Sequence, residues 1–236
     1  MTARHLVIVR NLSARTRSFY VFQQQAVFSG AGTAFEVSSS SLGAGLLAPH
    51  DSSGAQLDFA FDRTVHIGAK RLALLRSPAA CGPALPPGET TGAVSQTWAA
   101  RPIELATGGG AGNHAVLTLA PLGLSPPTDR PAVPAGSFGM EIPPCAPAIF
   151  ARLHCGCAVV DGHGRISLSS SVMPLPNSQL LCTPVPVYYV KAGHHDIGQP
   201  VAYDISQSAS CDFTRGQSTI YIGYNQDGTF GVTAEY

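Results

Sequence analysis

The sequence predicts an all-β protein: one domain over residues 1–236, built as a two-sheet antiparallel β-sandwich or flattened barrel with long Pro/Gly-rich loops. Three observations predict it. Short runs rich in Val, Ile, Phe and Tyr, several with a period of two, recur along the chain. Turn residues punctuate them, with 25 Gly and 19 Pro in 236 residues. No long stretch carries the 3.6-residue periodicity of an amphipathic helix. A hydrophobic share of 44% with zero formal net charge supplies a core and excludes a disordered chain. No run approaches the roughly 18–20 apolar residues of a membrane helix.

The elements follow in order. Residues 5–10 and 17–23 read as strands joined by the turn Asn11–Thr16. In the second, Phe19, Val21 and Gln23 alternate with Ser18, Tyr20 and Phe22, so both faces are aromatic. Such a strand is covered on both sides, or shows one face to a partner. A further strand is expected over 33–38. Residues 57–62 alternate, with Leu57, Phe59 and Phe61 on one face and Asp58, Ala60 and Asp62 on the other. Residues 64–75 fit a strand or a helical turn. The proline-rich stretches 77–92 and 121–136 read as loops, because proline cannot donate to a sheet ladder. Strands are expected between and beside them at 94–99, 102–106 and 114–119. Further strands are expected at 148–153, 156–161 and 165–172, the last two joined by a tight turn at Asp161–Gly164. Residues 186–193, 200–205 and 209–213 follow. A hairpin turning at Asn225–Gly228 closes the chain.

Several chemistries are excluded or weakened. Fourteen Lys and Arg balance fourteen Asp and Glu, so the basic excess of a nucleic-acid binder is missing and no nucleic-acid partner is expected. Arg4, Arg10, Arg15 and Arg17 read as solvated strand ends. The glycine-rich stretch 108–113 lacks the Lys-Ser/Thr of a phosphate loop and reads as a turn. There is no GxSxG elbow, HExxH helix or kinase motif set. Cys155 and Cys157 would share a strand face, with His154 beside them and Cys145, Cys182 or His163 as further ligands. Zinc sites space their cysteines differently, so no metal is expected. No cofactor is expected either. The six cysteines, Cys81, Cys145, Cys155, Cys157, Cys182 and Cys211, read as buried thiols or disulfide halves.

The densest ionisable cluster is His194, His195 and Asp196, in the loop after a strong strand. These three are the catalytic candidates, since histidine titrates near neutrality and a carboxylate can orient it; an exposed polar turn is the competing reading. Asp161 and His163 carry the same two readings. Asp58 and Asp62 lie about 13 Å apart along a strand, too far for a carboxylate dyad, and Glu104 and Glu141 are isolated. Tyr188, Tyr203, Tyr221 and Tyr224 are the ligand-binding candidates, as stacking surfaces for a sugar or an apolar ring. Cross-strand packing is the default for them.

The segments VIVRNLSARTRSFYVFQ, YYVKAGHHDIGQPVAYDIS, CDFT and YNQDGTFGV resemble the two chain ends of a loosely defined group of uncharacterised microbial proteins of similar length. The resemblance covers about a third of the chain and implies a soluble β-sandwich. It brings no activity and transfers no functional residue.

Three functions remain open. The first is a protein handling a small, largely apolar organic molecule, as a cofactor-free isomerase, cyclase or lyase of microbial secondary metabolism. The second is a carbohydrate-binding, lectin-like module. The third is a self-associating or membrane-contacting structural or toxin-like protein. The expected partner is a small-molecule ligand, with homo-oligomers allowed and no transmembrane segment. The N-terminus has no signal-peptide pattern, so a cytoplasmic location is expected, or a secreted one where a leader is removed.

Overall fold

A computed structural model describes residues 3–30, 32, 34–74, 94–107 and 112–235. The chain forms β1 (Arg4–Asn11), β2 (Arg17–Gln23), β3 (Val27–Ser29) and β4 (Ser38–Leu47). The one-turn helix α1 (His50–Ser53) leads to β5 (Leu57–Asp62), β6 (His66–Leu74), β7 (Val94–Pro102), β8 (His114–Leu119), β9 (Leu122–Leu124) and β10 (Phe138–Ile142). A second short helix, α2 (Pro147–Phe150), precedes β11 (Leu153–Val160), β12 (Ile166–Val172), β13 (Ser178–Thr183) and β14 (Val187–Ala192). The chain ends with β15 (Pro200–Val201), β16 (Ser208–Asp212), β17 (Thr219–Tyr224) and β18 (Phe230–Glu235).

The all-β sandwich is present, and it is not a closed barrel. Its layers differ from a plain two-sheet stack. One long sheet, ordered β16-β14-β2-β4-β12-β11-β6-β7 with β15 added against β4, faces two smaller sheets. The first is β18-β17-β1-β5, the second β3-β13-β10-β8-β9. Pairing is mostly antiparallel, but β1–β17 and β10–β8 are parallel.

Each small sheet covers its own core. Beneath the first lie Val7, Val9, Phe19, Val21, Tyr188 and Ile220. Beneath the second lie Ile67, Leu153, Cys155, Leu117, Met140 and Leu180. The long sheet runs under both, and its two halves meet where β4 pairs with β12 through only Ser38↔Ser171 and Ser39↔Ser170. The two chain ends fold together: β1 lies beside β17 in the first small sheet, and β14 lies between β2 and β16 in the long one.

The two-faced reading of β2 holds. Phe19 and Val21 enter the first core, while Phe22 packs outward with Val187, Tyr189 and Val201, under the segment that returns from β14.

Other elements differ from expectation. No strand was expected at β4, SSSSLGAGLL, because serine and glycine mask its periodicity. Its glycines are sites of close approach: a Cβ on Gly43 would sit 2.7 Å from Phe59, and one on Gly45 2.7 Å from Leu57. The serines of β4 and β12 are buried because backbone and side chains satisfy them. Ser170 Oγ accepts from the Ala26 amide, Ser169 Oγ donates to the Cys157 carbonyl, and Gln25 donates to Ser39. β10 and β13 are likewise unannounced. The strand expected at 33–38 begins only at Ser38, and 102–106 leaves the sheet after Pro102. α2 replaces the start of 148–153, where Pro147 suits the first turn of a helix. Residues 64–75 resolve as strand β6 between β7 and β11.

The loop 121–136 is partly built: β9 pairs with β8, and Thr128 bridges His114. The loop 77–92 and Cys81 lie outside the described residues, as do residues 108–111 of the glycine-rich stretch. Both expected turns are present. Asp161 accepts from the amides of His163 and Arg165, and Asp227 accepts from Thr229. Among the described residues no helix is long and apolar enough to cross a membrane.

Candidate functional site

Gly193, with φ 141°, turns the chain out of β14 and presents the three catalytic candidates. His194 Nε2 and Asp196 Oδ1 are 3.7 Å apart, with side chains 83% and 78% exposed. His195 folds back onto Tyr20, ring centroids 5.1 Å apart, and its Nδ1 is buried without a partner. The three border an open groove of about 470 Å³ together with Ser18, Leu46 and Ile197. A neighbouring groove of about 370 Å³ shares Ala44 and Ile197 with it and carries Arg4, Asp58, Asp161 and His163. The structure thus brings His194 and Asp196 together, but in water, where a weak ion pair gains little and a reacting group is not desolvated.

The four tyrosines do not share a surface. Tyr188 is buried in the first core, stacked on Phe61 at 4.7 Å. Tyr224 is buried against Phe19 and Phe230 in the same core. Tyr203 is part-exposed on the outer face of the long sheet, edge-on to Phe22 and Tyr189. Tyr221 lies in β17, with Arg10 above its ring at 5.6 Å. Of the four, Tyr188 lines a cavity.

That cavity, of about 250 Å³, lies where the two cores meet. His5, Tyr188, Val159 and Phe213 reach it from the first core, Cys157, Val65 and Leu105 from the second, and Gln23 lines it with Pro184, Pro186 and the hydroxyl-bearing Thr64 and Thr214. Strand alternation puts the polar pair there. His5 shares the inward face of β1 with Val7 and Val9, and Gln23 shares the inward face of β2 with Phe19 and Val21. β1 belongs to the small sheet and β2 to the long one, so the pair stands on opposed layers. Gln23 is also the cross-strand partner of Tyr188.

The interior of the site is uncharged. Burial, with Arg63 nearby, lowers the His5 pKa to about 4, so the imidazole is neutral at pH 7. Burial pushes the Tyr188 phenol up, and the Cys157 thiol up to about 11. Asp62 and Arg63 place the only charges of the lining at its rim. Two polar atoms in the wall have no hydrogen-bond partner, His5 Nδ1 and Gln23 Oε1. The Gln23 amide is oriented by its Nε2, which donates to the Val185 carbonyl at 2.8 Å. An orphaned buried polar atom costs about 1–3 kcal/mol, so a fold that carries two in one wall invites a functional explanation.

Among the described residues no three His, Cys, Asp or Glu side chains are grouped to hold a metal. Cys145, Cys155, Cys157, Cys182 and Cys211 are free thiols. Sequence reasoning passed over His5 and Gln23, and weighed Cys157 only as a metal ligand, buried thiol or disulfide half. The signal for the first two was a polar residue at the inward position at one end of an otherwise apolar strand face. Comparison of the chain with known protein families, with characterised proteins and with solved structures finds none that matches.

Proposed function

We propose that this protein binds a small, largely apolar organic molecule in the cavity between its two cores. The observation that carries the reading is the pair of buried, unpartnered polar atoms, His5 Nδ1 and Gln23 Oε1, on side chains that line a pocket with Tyr188, Phe213, Val65 and Leu105 as its apolar part and Asp62, Arg63, Thr64 and Thr214 as its polar part. Such a site holds a ligand by burial and orients it by a few polar contacts. Binding is favoured over acid–base turnover. A histidine whose pKa lies near 4 is a weak base at neutral pH, well below the near-neutral value that proton transfer favours. An isomerase, cyclase or lyase would therefore have to draw its base from elsewhere, and His194 and His195 stand on a different surface.

The test fills the cavity. Val65, half-buried in its wall, is changed to Phe, and both proteins are titrated calorimetrically with a panel of single-ring and short-chain apolar compounds. Saturable 1:1 binding to the wild type, lost in Val65→Phe, is expected. A panel without a binder, or equal binding by the variant, refutes the proposal.

A further inference from the structure

We propose that Lys70 is a site of covalent acylation: its amine takes an acyl group from an anionic activated donor, of the acyl phosphate class, in preference to the chain's other lysine.

Lys70 and Lys191 are the only lysines of the chain, and their settings are opposite. Lys191 Nζ donates to the carboxylate and to the backbone carbonyl of Asp204, with a side chain only 18% exposed. Lys70 takes part in none of the ion pairs among the described residues. Ile67 and Ala69 of β6 enter the second core, so the period of two turns Lys70 to the other face. Its cross-strand partners there are Trp98 on β7 and His154 on β11. The adjoining positions of that face hold Gly68 and Leu72 on β6, Gln96 and Ala100 on β7, and Gly156 and Arg152 on β11. None is acidic. Arg152 adds a second positive charge at about 7–8 Å, the diagonal spacing of an antiparallel pair.

Lys70 Nζ lies over the Trp98 indole, 5.1 Å from the ring centroid. That is a weaker hold on an ammonium than a carboxylate with its hydrogen bonds. Burial without a counter-charge favours the neutral amine and lowers the Lys70 pKa. His154, lowered by burial and by Lys70, is neutral at pH 7 and supplies no compensating charge. The neutral amine is the nucleophile, and Lys70 and Trp98 both keep exposed surface through which a donor arrives.

The step is an acyl transfer. The Lys70 ammonium gives one proton to solvent, and its nitrogen forms a bond to the acyl carbon. The bond from that carbon to the phosphate oxygen breaks, and hydrogen phosphate leaves with the nitrogen's second proton. An amide remains, and the positive charge at Lys70 is lost. Arg152 attracts an anionic donor to this face, whereas Asp204 repels one from Lys191.

The test treats the native protein at mildly alkaline pH with acetyl phosphate, and separately with the neutral N-hydroxysuccinimidyl acetate. Peptide mapping reads the rate of acetylation at each lysine. With acetyl phosphate Lys70 is expected to react at least about tenfold faster than Lys191, which must first give up a hydrogen bond to a charged group. With the neutral ester the margin is expected to be smaller, and in concentrated urea it is expected to close. Equal or faster reaction at Lys191 overturns the proposal. So does a margin that persists in urea, since the local sequence and not the fold would then set it. Equal margins for the two reagents overturn the anionic donor class.

Discussion

Replacing Asn11 with alanine should destabilise the protein by about 4 kcal/mol. Asn11 ends β1 and is fully buried. Its Nδ2 donates to the carbonyls of Arg15 and Leu47, at 2.8 and 3.0 Å. Its Oδ1 accepts from the Ser13 amide and hydroxyl, at 3.1 and 2.7 Å. Both donors and the oxygen are thus in use. The bond to Leu47 ties β1 of the first small sheet to β4 of the long one. On truncation, the Ser13 hydroxyl keeps a partner in the Arg15 carbonyl. The Leu47 carbonyl and the Ser13 amide each lose a buried partner, at about 1–3 kcal/mol apiece. Two such losses give about 2–6 kcal/mol, before the small cavity left by the amide is counted. Urea unfolding followed by far-UV circular dichroism reads the effect. With a slope near 3 kcal/mol per molar for a chain of this size, the midpoint should fall by about 1.3 M with the slope unchanged. A loss below about 1 kcal/mol would refute the reasoning, because the four bonds would then carry no net stability.

Two further outcomes are expected. The folded-state pKa of His5, about 4, lies below its ordinary 6.5, so the unfolded chain binds more protons between these values. Its stability contribution is complete above pH 6.5 and is lost as pH falls towards 4. Burial lowers His114 and His154 in the same direction. Asp212 and Asp227, held low by hydrogen bonds from Thr214 and Thr229, add their losses only at lower pH. The Tm should therefore begin to drop just below pH 6.5, and more shallowly in His5→Phe; identical slopes in the two proteins would contradict this. Iodoacetamide at pH 7.5 should alkylate half-exposed Cys145 in the native protein and spare Cys155, Cys157, Cys182 and Cys211 until unfolding. A thiol raised from 9.0 to about 11 holds roughly a hundredfold less thiolate than an unperturbed one. Peptide mapping that finds Cys157 or Cys211 modified at the rate of a free cysteine would overturn their placement.

The sequence was legible where one physical rule decided the outcome. β2, β5, β14 and the closing hairpin announce themselves because alternation and turn chemistry agree. β4 hides because its central positions hold serine and glycine, whereas β12, also rich in serine, is legible from the turn at Asp161–Gly164 that precedes it. Serine is tolerated in β4 by a hydrogen bond from Gln25, and glycine by the rings and methyl groups of Phe59 and Leu57. Neither set of partners is near in sequence. The site divides the same way. Tyr188 stood among the candidates because tyrosine can serve as a platform, and it does line the cavity. His194, His195 and Asp196 stood out because they are adjacent, but the turn leaves His194 and Asp196 in solvent and folds His195 back onto Tyr20. His5 and Gln23 are 18 positions apart on strands of different sheets. Only the layering of those sheets opposes them.

The narrow junction at Ser38–Ser171 and Ser39–Ser170 has a mechanical consequence. A ladder of two rungs in the middle of a long sheet is its thinnest seam, and the Phe61↔Asp161 bridge from β5 to the turn after β11 is a second tie between the halves. The cavity is walled from both halves, by Tyr188 and Phe213 on one and Cys157 on the other. A molecule seated there would act as a rivet across that seam, and its binding would register in the amide exchange rates of the serine strands as well as in the pocket itself.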